Sequence, residues 1–529
     1  APRLRGLVAP GAVLALCAAL ALYGLDRPKL WMDEAETALL ARSVLVHGIP
    51  EARIGDDLIS QEVGREFGPD LVWRWTPWLD KYVAAGAFAL FGEGTLAARL
   101  PFALLGLAAV ASVHRLAWGL FGDRRVALLS MAFLGTSVPF LLHVRQCRYY
   151  VLAILGTLWA VHFAAATVRR RGAGAVVGLA AALTLVFQAN YLSFAALAAA
   201  LATSLWLLRV DRSGWRRLLV AAALVALLAA PWIVYFDIVG KVLEEGGGSR
   251  GALLDQVADY AALTARYGFP VAALPPFAVV VAAAPRRREA LSEWRTALFL
   301  ALVAAVYLLA ISATPWVFYR YTVNLLPIFA VLLAWLSVTA WSLQRVAGAV
   351  FAGLLLVTGV FSEISALPTR YAGDFHPGRT IRAFDWAFPL GNEVSELLHP
   401  FEGATGTMTK YIAANGHRGD RVFATYGDLT ARFYLPGFEV RGGQSGERLA
   451  GWGPPEWVLV RRFFRFNDDP NDVQAMLDWL NHEVPLREYE QIELPLPDLA
   501  WESIPEPQLH FFRPPTEGKR ATILWRPRR

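Results

Sequence analysis

The 529-residue chain predicts a polytopic α-helical membrane bundle of about eleven transmembrane helices, followed by a C-terminal extracytoplasmic α/β domain. Three observations predict it. Hydrophobic residues make up 56% of the chain against 18% charged, and the mean hydropathy is +0.40. Long apolar runs recur with short arginine-bearing connections between them. After residue 367 the composition turns abruptly toward charge, proline and glycine.

A helix rises about 1.5 Å per residue, so roughly 20 apolar residues cross about 30 Å of hydrocarbon. The first run, Leu7 to Leu25, meets that length. Its basic start, Arg3 and Arg5, also fits a signal peptide, but cleavage would sever the acidic residues that follow from their anchor. Further runs cover 97–120, 124–142, 148–168, 173–189, 190–208, 215–237, 268–284, 295–312, 320–341 and 346–366. The formal charge of +6 does not point to nucleic acid, because the arginines sit in the connections and encode sidedness. With the basic loops inside, the cytoplasmic segments are Arg3/Arg5, Arg124/Arg125, Arg169–Arg171, Arg209–Arg217, Arg286–Arg295 and Arg345.

The stretch Trp78–Phe91 is expected to lie in the interface. It is short, it follows Pro77 and the belt residues Trp73, Trp75 and Trp78, and a crossing there would put Arg124 and Arg125 outside. Residues 1–367 are therefore read as a transmembrane domain with an outer loop at 26–96. An odd number of crossings leaves 368–529 outside as a water-soluble domain. Its expected elements alternate: helix 406–414, strands 421–425 and 457–464, helix 471–483, then strands near Ile492, Phe511 and Ile523. A second outer loop, 240–267, carries Gly246-Gly247-Gly248 and is read as a segment that orders on ligand binding, not as a phosphate-cradling P-loop. Cys17 and Cys147 make no disulfide framework, and no metal-ligand spacing or cofactor motif is present.

Trp31-Met-Asp-Glu-Ala-Glu-Thr37 places three carboxylates just past the first apolar run, where charge near lipid marks a functional candidate. Asp33 with Glu36 also fits a capping arrangement at a helix start. Glu34 is not needed by such a cap, and a carboxylate there could take a proton from a hydroxyl. The loop His143-Val-Arg145-Gln-Cys-Arg148-Tyr149-Tyr150 brings two arginines to the outer side, and Phe318-Tyr319-Arg320 brings a third. They either snorkel to lipid phosphates or hold an anionic ligand by charge-assisted hydrogen bonds. Lys81, on the interfacial helix, is either solvated or a fourth such cation. Carboxylates and cations beside apolar grooves suit a lipid-linked phosphate donor.

At these residues the chain resembles the GT-C glycosyltransferases, in the branch of protein O-mannosyltransferases and the bacterial aminoarabinose transferase of lipid A. The resemblance rests on WMDEAETALLARSVLVHGIP, TPWLDKYVAAGAFALFGEGTLAARLPFALLG, VRQCRYYVL and YRYTVNLLP, in that order, across roughly residues 1–345. It implies an inverting transferase that takes a sugar from a polyprenyl-phosphate donor on the extracytoplasmic side of a cell membrane, in bacteria the inner membrane. Asp33 matches the family's catalytic aspartate and Glu34 its acidic neighbour. Arg145, Arg148 and Arg320 match positions near the donor phosphate, with Lys81 beside them and His143, Tyr149, Tyr150 and Tyr319 as further contacts. The chain departs from the pattern at Tyr150, where some relatives carry a second aspartate, and at Trp75-Thr76-Pro77, which replaces a double proline.

A polyprenyl phosphate leaves readily, so such chemistry needs a base for the acceptor hydroxyl and cations for the departing charge. The acceptor, a lipid, glycan or protein, is not encoded. A lipid-linked sugar flippase would share the groove and the arginines but is expected to show symmetry between halves and mid-membrane charges, neither of which is evident. A non-catalytic assembly subunit, with the acidic cluster serving only as a cap, is the third reading.

Overall fold

The computed structural model describes residues 2–55, 57–169, 172–245, 250–283, 293–314, 317–365, 388–442, 447, 449–461, 470–498, 504–514 and 518–527. In chain order the helices to residue 365 are α1 (Pro2–Leu22), α2 (Met32–His47), α3 (Leu79–Phe91), α4 (Thr95–Phe121), α5 (Arg124–Gly135), α6 (Val138–Val144), α7 (Tyr150–Val168), α8 (Ala173–Ala189), α9 (Tyr191–Ser204), α10 (Arg212–Tyr235), α11 (Ile238–Glu245), α12 (Arg250–Tyr267), α13 (Leu274–Ala283), α14 (Trp294–Ile311), α15 (Leu326–Leu343), α16 (Arg345–Val357) and α17 (Val360–Ser365). Two short strands, β1 (Arg53–Ile54) and β2 (Asp57–Leu58), pair antiparallel in the loop after α2.

Each expected apolar run is helical over most of its described residues, but the count by length and hydropathy differs from eleven. Among the described residues, six helices satisfy both criteria: Thr95–Phe121, Tyr150–Val168, Tyr191–Leu208, Arg212–Tyr235, Trp294–Ile311 and Val323–Leu343. Two bent pairs raise the number to eight, α5 with α6 at 63° and Leu253–Tyr267 with Val271–Ala283 at 60°. Prolines explain both breaks. Pro139 sits in the first turn of α6 and Pro270 within the second break, directly before Val271, and neither continues the preceding turn. Three more runs, Val8–Leu22, Ala173–Ala189 and Arg345–Val357, are apolar but of 10–17 residues. The chain is a multi-pass membrane protein. Helix α3, at 13 residues, reaches only about 20 Å.

Contacts divide the chain into two compact, discontinuous units. The first comprises Ala1–Tyr23, Phe102–Val394 and Pro505–Leu509; the second comprises Gly24–Pro101, Ser395–Ile504 and His510–Arg529. The first is the helical bundle. Its helices approach closely at glycines, as at Gly156 of α7, where a Cβ would lie 2.5 Å from Val186 of α8. Gly135, at the end of α5, packs on Cys17 of α1 in the same way.

The second unit combines the outer loop with the C-terminal residues, a grouping that a boundary at residue 367 does not anticipate. Its C-terminal elements are α18 (Pro389–Leu398, from Ser395 onward), α19 (Ala404–Asn415), β3 (Arg421–Ala424), α20 (Asp428–Tyr434), β4 (Glu439–Gly442), β5 (Trp457–Val460), α21 (Pro470–His482), β6 (Glu490–Pro497) and β7 (Arg520–Trp525). The sheet order is β4-β3-β5-β7-β6, with β3 parallel to β4 and β5, and β7 antiparallel to β5 and β6. Alternation along β3 explains the two layers: Val422 and Ala424 meet Met408 and Ile412 of α19, while Phe423 meets Met476 and Trp479 of α21. The α/β character is as expected, with two corrections. Residues around Phe511 turn instead of forming a strand, and β4 has too little apolar sequence to announce itself. Residues 462–464 of the expected second strand and the glycine run Gly246–Gly248 lie outside the described residues.

Candidate active site

The acidic candidates belong to the second unit. Helix α2 begins at Met32, its N-cap is Trp31 in an extended conformation, and the first helical bond runs from the Ala35 N–H to the Trp31 carbonyl at 2.8 Å. The N-cap is thus Trp31 and not Asp33, so Asp33 and Glu36 do not occupy the N-cap and third positions that the expected capping arrangement requires. Asp33 sits inside the first turn instead, where the helix dipole favours an anion. The Glu36 carboxylate accepts a bond from Gln61 Nε2 at 2.7 Å, and the same amide lies 3.5 Å from Asp33 Oδ1. Gln61 is held in turn by Glu66, which accepts from the Gln61 N–H at 2.5 Å and the Ser60 hydroxyl at 2.6 Å. Burial, with Glu36 nearby, pushes the Glu66 carboxyl up to about 7. Asp33 remains half-buried.

Glu34 has a different fate. It is fully buried and takes a two-pronged bond from Arg99, Nε to Oε1 at 2.8 Å and Nη2 to Oε2 at 2.6 Å. Arg99 also donates to the carbonyls of Leu25, Pro28 and Lys29, at 3.1, 2.9 and 3.2 Å. Lys81 is buried, not solvated. Its ammonium bonds the Thr76 hydroxyl at 2.7 Å, the Pro77 carbonyl at 3.1 Å and the neighbouring Asp80 carboxylate at 3.0 Å. The tryptophans around it serve the same turn: Trp73 Nε1 donates to Thr76 and Trp78 Nε1 to the Trp73 carbonyl.

The arginine candidates belong to the first unit, in which α6 ends and α7 begins around residues 145–149. Arg145 Nη1 donates to the carbonyls of Leu20, Ala21 and Tyr23, at 2.8, 3.1 and 3.0 Å, closing the C-terminal end of α1. Arg148 is buried, with its guanidinium 5.8 Å from the Tyr149 ring centre. His143 anchors a cluster of rings, edge-on to Tyr150 at 4.9 Å and 6.0 Å from Tyr319, with Tyr149 against Tyr150 at 4.8 Å. The cluster joins two segments some 170 residues apart in sequence. Arg320 lies over Phe318 at 4.1 Å, and both it and Arg148 act on the Tyr149 phenol.

Thus His143, Arg145, Arg148, Tyr149, Tyr150, Tyr319 and Arg320 gather at one end of the bundle, while Asp33, Glu34 and Lys81 share the loop 24–101. Sequence reasoning overlooks several residues. Arg99, Gln61 and Glu66 build the surroundings of Asp33. Glu506 is buried against Arg320, accepting its main-chain N–H at 3.2 Å with the Arg320 Nε 3.7 Å away, and burial raises its carboxyl. Arg266 precedes Tyr267, which packs edge-on to Tyr319 at 5.8 Å. It pairs with Glu363 at 3.1 Å, and its Nε and Nη1 are buried without a hydrogen-bond partner among the described residues. Only its place at the start of an apolar run signals it in the sequence.

Residues 76–235 match the family model described as dolichyl-phosphate-mannose-protein mannosyltransferase. Among solved structures, ArnT from Cupriavidus metallidurans bound to undecaprenyl phosphate is similar at 14% identity, with a TM-score of 0.59 and 97% of each chain covered. The apo state of the same ArnT is similar at 16% identity and a TM-score of 0.52, covering 83% of this chain and 85% of that one. No curated protein sequence matches. The chain shares the fold of these solved structures, in keeping with the four sequence segments that resemble GT-C glycosyltransferases.

Proposed function

We propose that the protein is an inverting membrane glycosyltransferase that moves a sugar from a polyprenyl-phosphate donor to an acceptor hydroxyl. The observation that carries this reading is the placing of Arg148 against Tyr149, of Arg320 next to Tyr319, which packs near His143, and of Arg266 at 5.6 Å from the Tyr267 ring, which in turn meets Tyr319. Several guanidinium groups at one end of a lipid-facing bundle suit a phosphate on a long apolar tail. The fold and the match to a mannosyltransferase family support the reaction class.

The acceptor oxygen attacks the anomeric carbon on the face opposite the phosphate, which inverts it. The bond from that carbon to the phosphate oxygen breaks, and its electron pair stays on the departing phosphate. Asp33, half-buried in the first turn of α2, receives the acceptor proton. Arg148, Arg320 and Arg266 stabilise the phosphate as its charge grows, and Lys81, paired with Asp80, is a further cation that can turn to it. Arg145 acts by holding the loop to α1. The tyrosines and His143 form the apolar floor. Glu34, locked to Arg99, positions the residue next to it. The site and the C-terminal domain face the outer side of a cell membrane, which in bacteria is the periplasmic face of the inner membrane.

The purified protein is expected to release free polyprenyl phosphate from one of a panel of polyprenyl-phosphate sugars. Asp33→Asn should fold and bind donor yet lose transfer by on the order of 10²-fold or more, and Arg320→Ala should lose a similar factor. Undiminished transfer by Asp33→Asn removes the assigned base. If no donor of the panel is consumed, the transferase reading fails.

A further inference from the structure

Two of the arginines assigned to the donor phosphate already stand beside a carboxylate. Arg320 Nε lies 3.7 Å from Glu506 Oε1, and Arg266 pairs with Glu363 at 3.1 Å. All four residues belong to the first unit, as do Arg148 and the rings around His143. The mechanism above gives the two carboxylates no task. We propose that Glu506, with Glu363, sets the charge preference of this site, so that it favours a singly charged phosphodiester over a doubly charged phosphomonoester, a reading that rests on the arginines as holders of the donor phosphate.

Glu506 is fully buried, and the groups bonded to it are donors. Its Oε1 accepts the Arg320 N–H at 3.2 Å and its Oε2 the Gln508 amide at 3.2 Å. Those bonds and the Arg320 guanidinium oppose the upward push of burial on its carboxyl, and acceptor-only surroundings of this kind suit the ionised form. The carboxylate spends its bonds on main chain and amide, and the guanidinium atom nearest to it is the edge nitrogen. The pairing is therefore loose, unlike the two-pronged bond of Arg99 to Glu34 at 2.8 and 2.6 Å. A forked pair would occupy the arginine. An offset one leaves the guanidinium in place and subtracts charge from its surroundings. Arg320 keeps some contact with solvent where Glu506 has almost none, so a ligand meets the arginine and is repelled by the carboxylate behind it.

The transfer reaction changes the charge of the lipid, which gives such a preference a use. A sugar-bearing polyprenyl phosphate is a diester with a single negative charge. When the acceptor oxygen bonds to the anomeric carbon and the bond from that carbon to the phosphate oxygen breaks, the electron pair stays on the phosphate. The product is a monoester, which carries two charges above its second ionisation at about pH 6. Coulomb energy scales with the charge of the ligand, so a fixed carboxylate repels this product about twice as strongly as the donor. The two carboxylates thus favour entry of the donor and departure of the spent lipid.

Titration of the full chain in detergent with undecaprenyl phosphate and with its methyl diester, at about pH 8, tests this on the wild type, Glu506→Gln and Glu363→Gln, with a thermal melt of each. A glutamine at 506 still accepts the Arg320 N–H, so the turn is kept while the charge is removed. The wild type should bind the diester more tightly. Glu506→Gln should tighten the diester by about threefold and the monoester by about tenfold, because doubling the ligand charge squares the factor, and Glu363→Gln should move the ratio in the same direction. In turnover, Glu506→Gln should be inhibited by undecaprenyl phosphate at a roughly tenfold lower concentration, with its single-turnover rate not reduced. A merely structural role would change both lipids by one factor. Equal changes for the two lipids, or weaker binding of both, overturn the proposal; if one variant fails to fold, the other decides. A wild type that prefers the monoester overturns it whatever the variants do. A shifted ratio in a protein that consumes no polyprenyl-phosphate sugar keeps the charge preference and removes the transferase reading. Donor consumption with an unshifted ratio does the reverse, and binding of neither lipid by any form removes both.

Discussion

Arg99 meets both oxygens of Glu34 and at the same time three main-chain carbonyls between Leu25 and Lys29, so one guanidinium fixes the entrance to the helix that carries Asp33. Breaking a buried pair by removing one partner strands the other charge, at a cost of about 3–5 kcal/mol. Arg99→Ala is therefore expected to lower thermal stability by about that amount, measured by unfolding in detergent, whereas Asp33→Asn leaves the melt unchanged. A second residue cluster sets a pH dependence. Asp57, Asp428 and Glu447 surround Arg432, with Glu439 and Arg441 nearby, and burial pushes Asp428 up to about 7 and Asp57 up to about 6. A carboxyl whose folded pKa is raised binds its proton more tightly when folded. Its contribution is then greatest below the unfolded value near 4 and is lost as pH rises through 6 and 7. The melting midpoint should fall between pH 5 and pH 8, and Asp428→Asn should flatten that slope. The acidic cluster itself is legible in the sequence, because charge beside an apolar run is rare. Its cap is not: an Asp-x-x-Glu spacing does not say which residue takes the N-cap, and Glu36 turns to an amide 25 residues away.

At the level of elements, arginines close helix ends that the membrane interface would leave with bare carbonyls. Arg145 does so for α1, and Arg169, through Nη1 and Nη2, does so for α4 at Gly119 and Leu120. Each carbonyl satisfied this way removes an orphan of the last helical turn and places a cation at the negative end of the dipole. Arg145→Gln keeps two donors but loses the charge, and is expected to cost about 1–3 kcal/mol, read as a lower melting midpoint. A larger loss of donor binding than of stability would assign Arg145 to the phosphate as well. The helices themselves are legible as apolar runs, and the shortness of α3 is legible as well. Bends are less so, since Pro139 and Pro270 sit near helix starts, where proline is also compatible with an unbroken span. The partners of Arg145, like Glu506 for Arg320, come from segments more than a hundred residues distant and leave no local pattern.

For the whole molecule, sidedness is the property that joins charge pattern to function, and the bundle supplies an internal check. Cys17 near the end of α1 packs on Gly135 at the end of α5, and beyond it Arg145 reaches the α1 carbonyls at residues 20–23. The two chains of contacts advance in the same direction, so α1 and α5–α6 run parallel. Arg124 and Arg125 then share the side of the basic N-terminus, while Arg145 and Arg148 share the far side. If that far side is the outer one, as the proposed function requires, the two arginines oppose the usual bias of outer loops toward few cations, which is the expected pattern if they hold an anion instead of setting topology. An impermeant maleimide applied to intact cells tests the assignment, because Cys17 and Cys147 are both buried. Glu93→Cys and Asn415→Cys, at exposed positions, should label from outside, and Arg124→Cys and Arg212→Cys only after lysis. Labelling in the opposite sense would put the arginine cluster on the cytoplasmic face, where the positive-inside rule alone explains it. The phosphate clamp would then have no charge anomaly to support it.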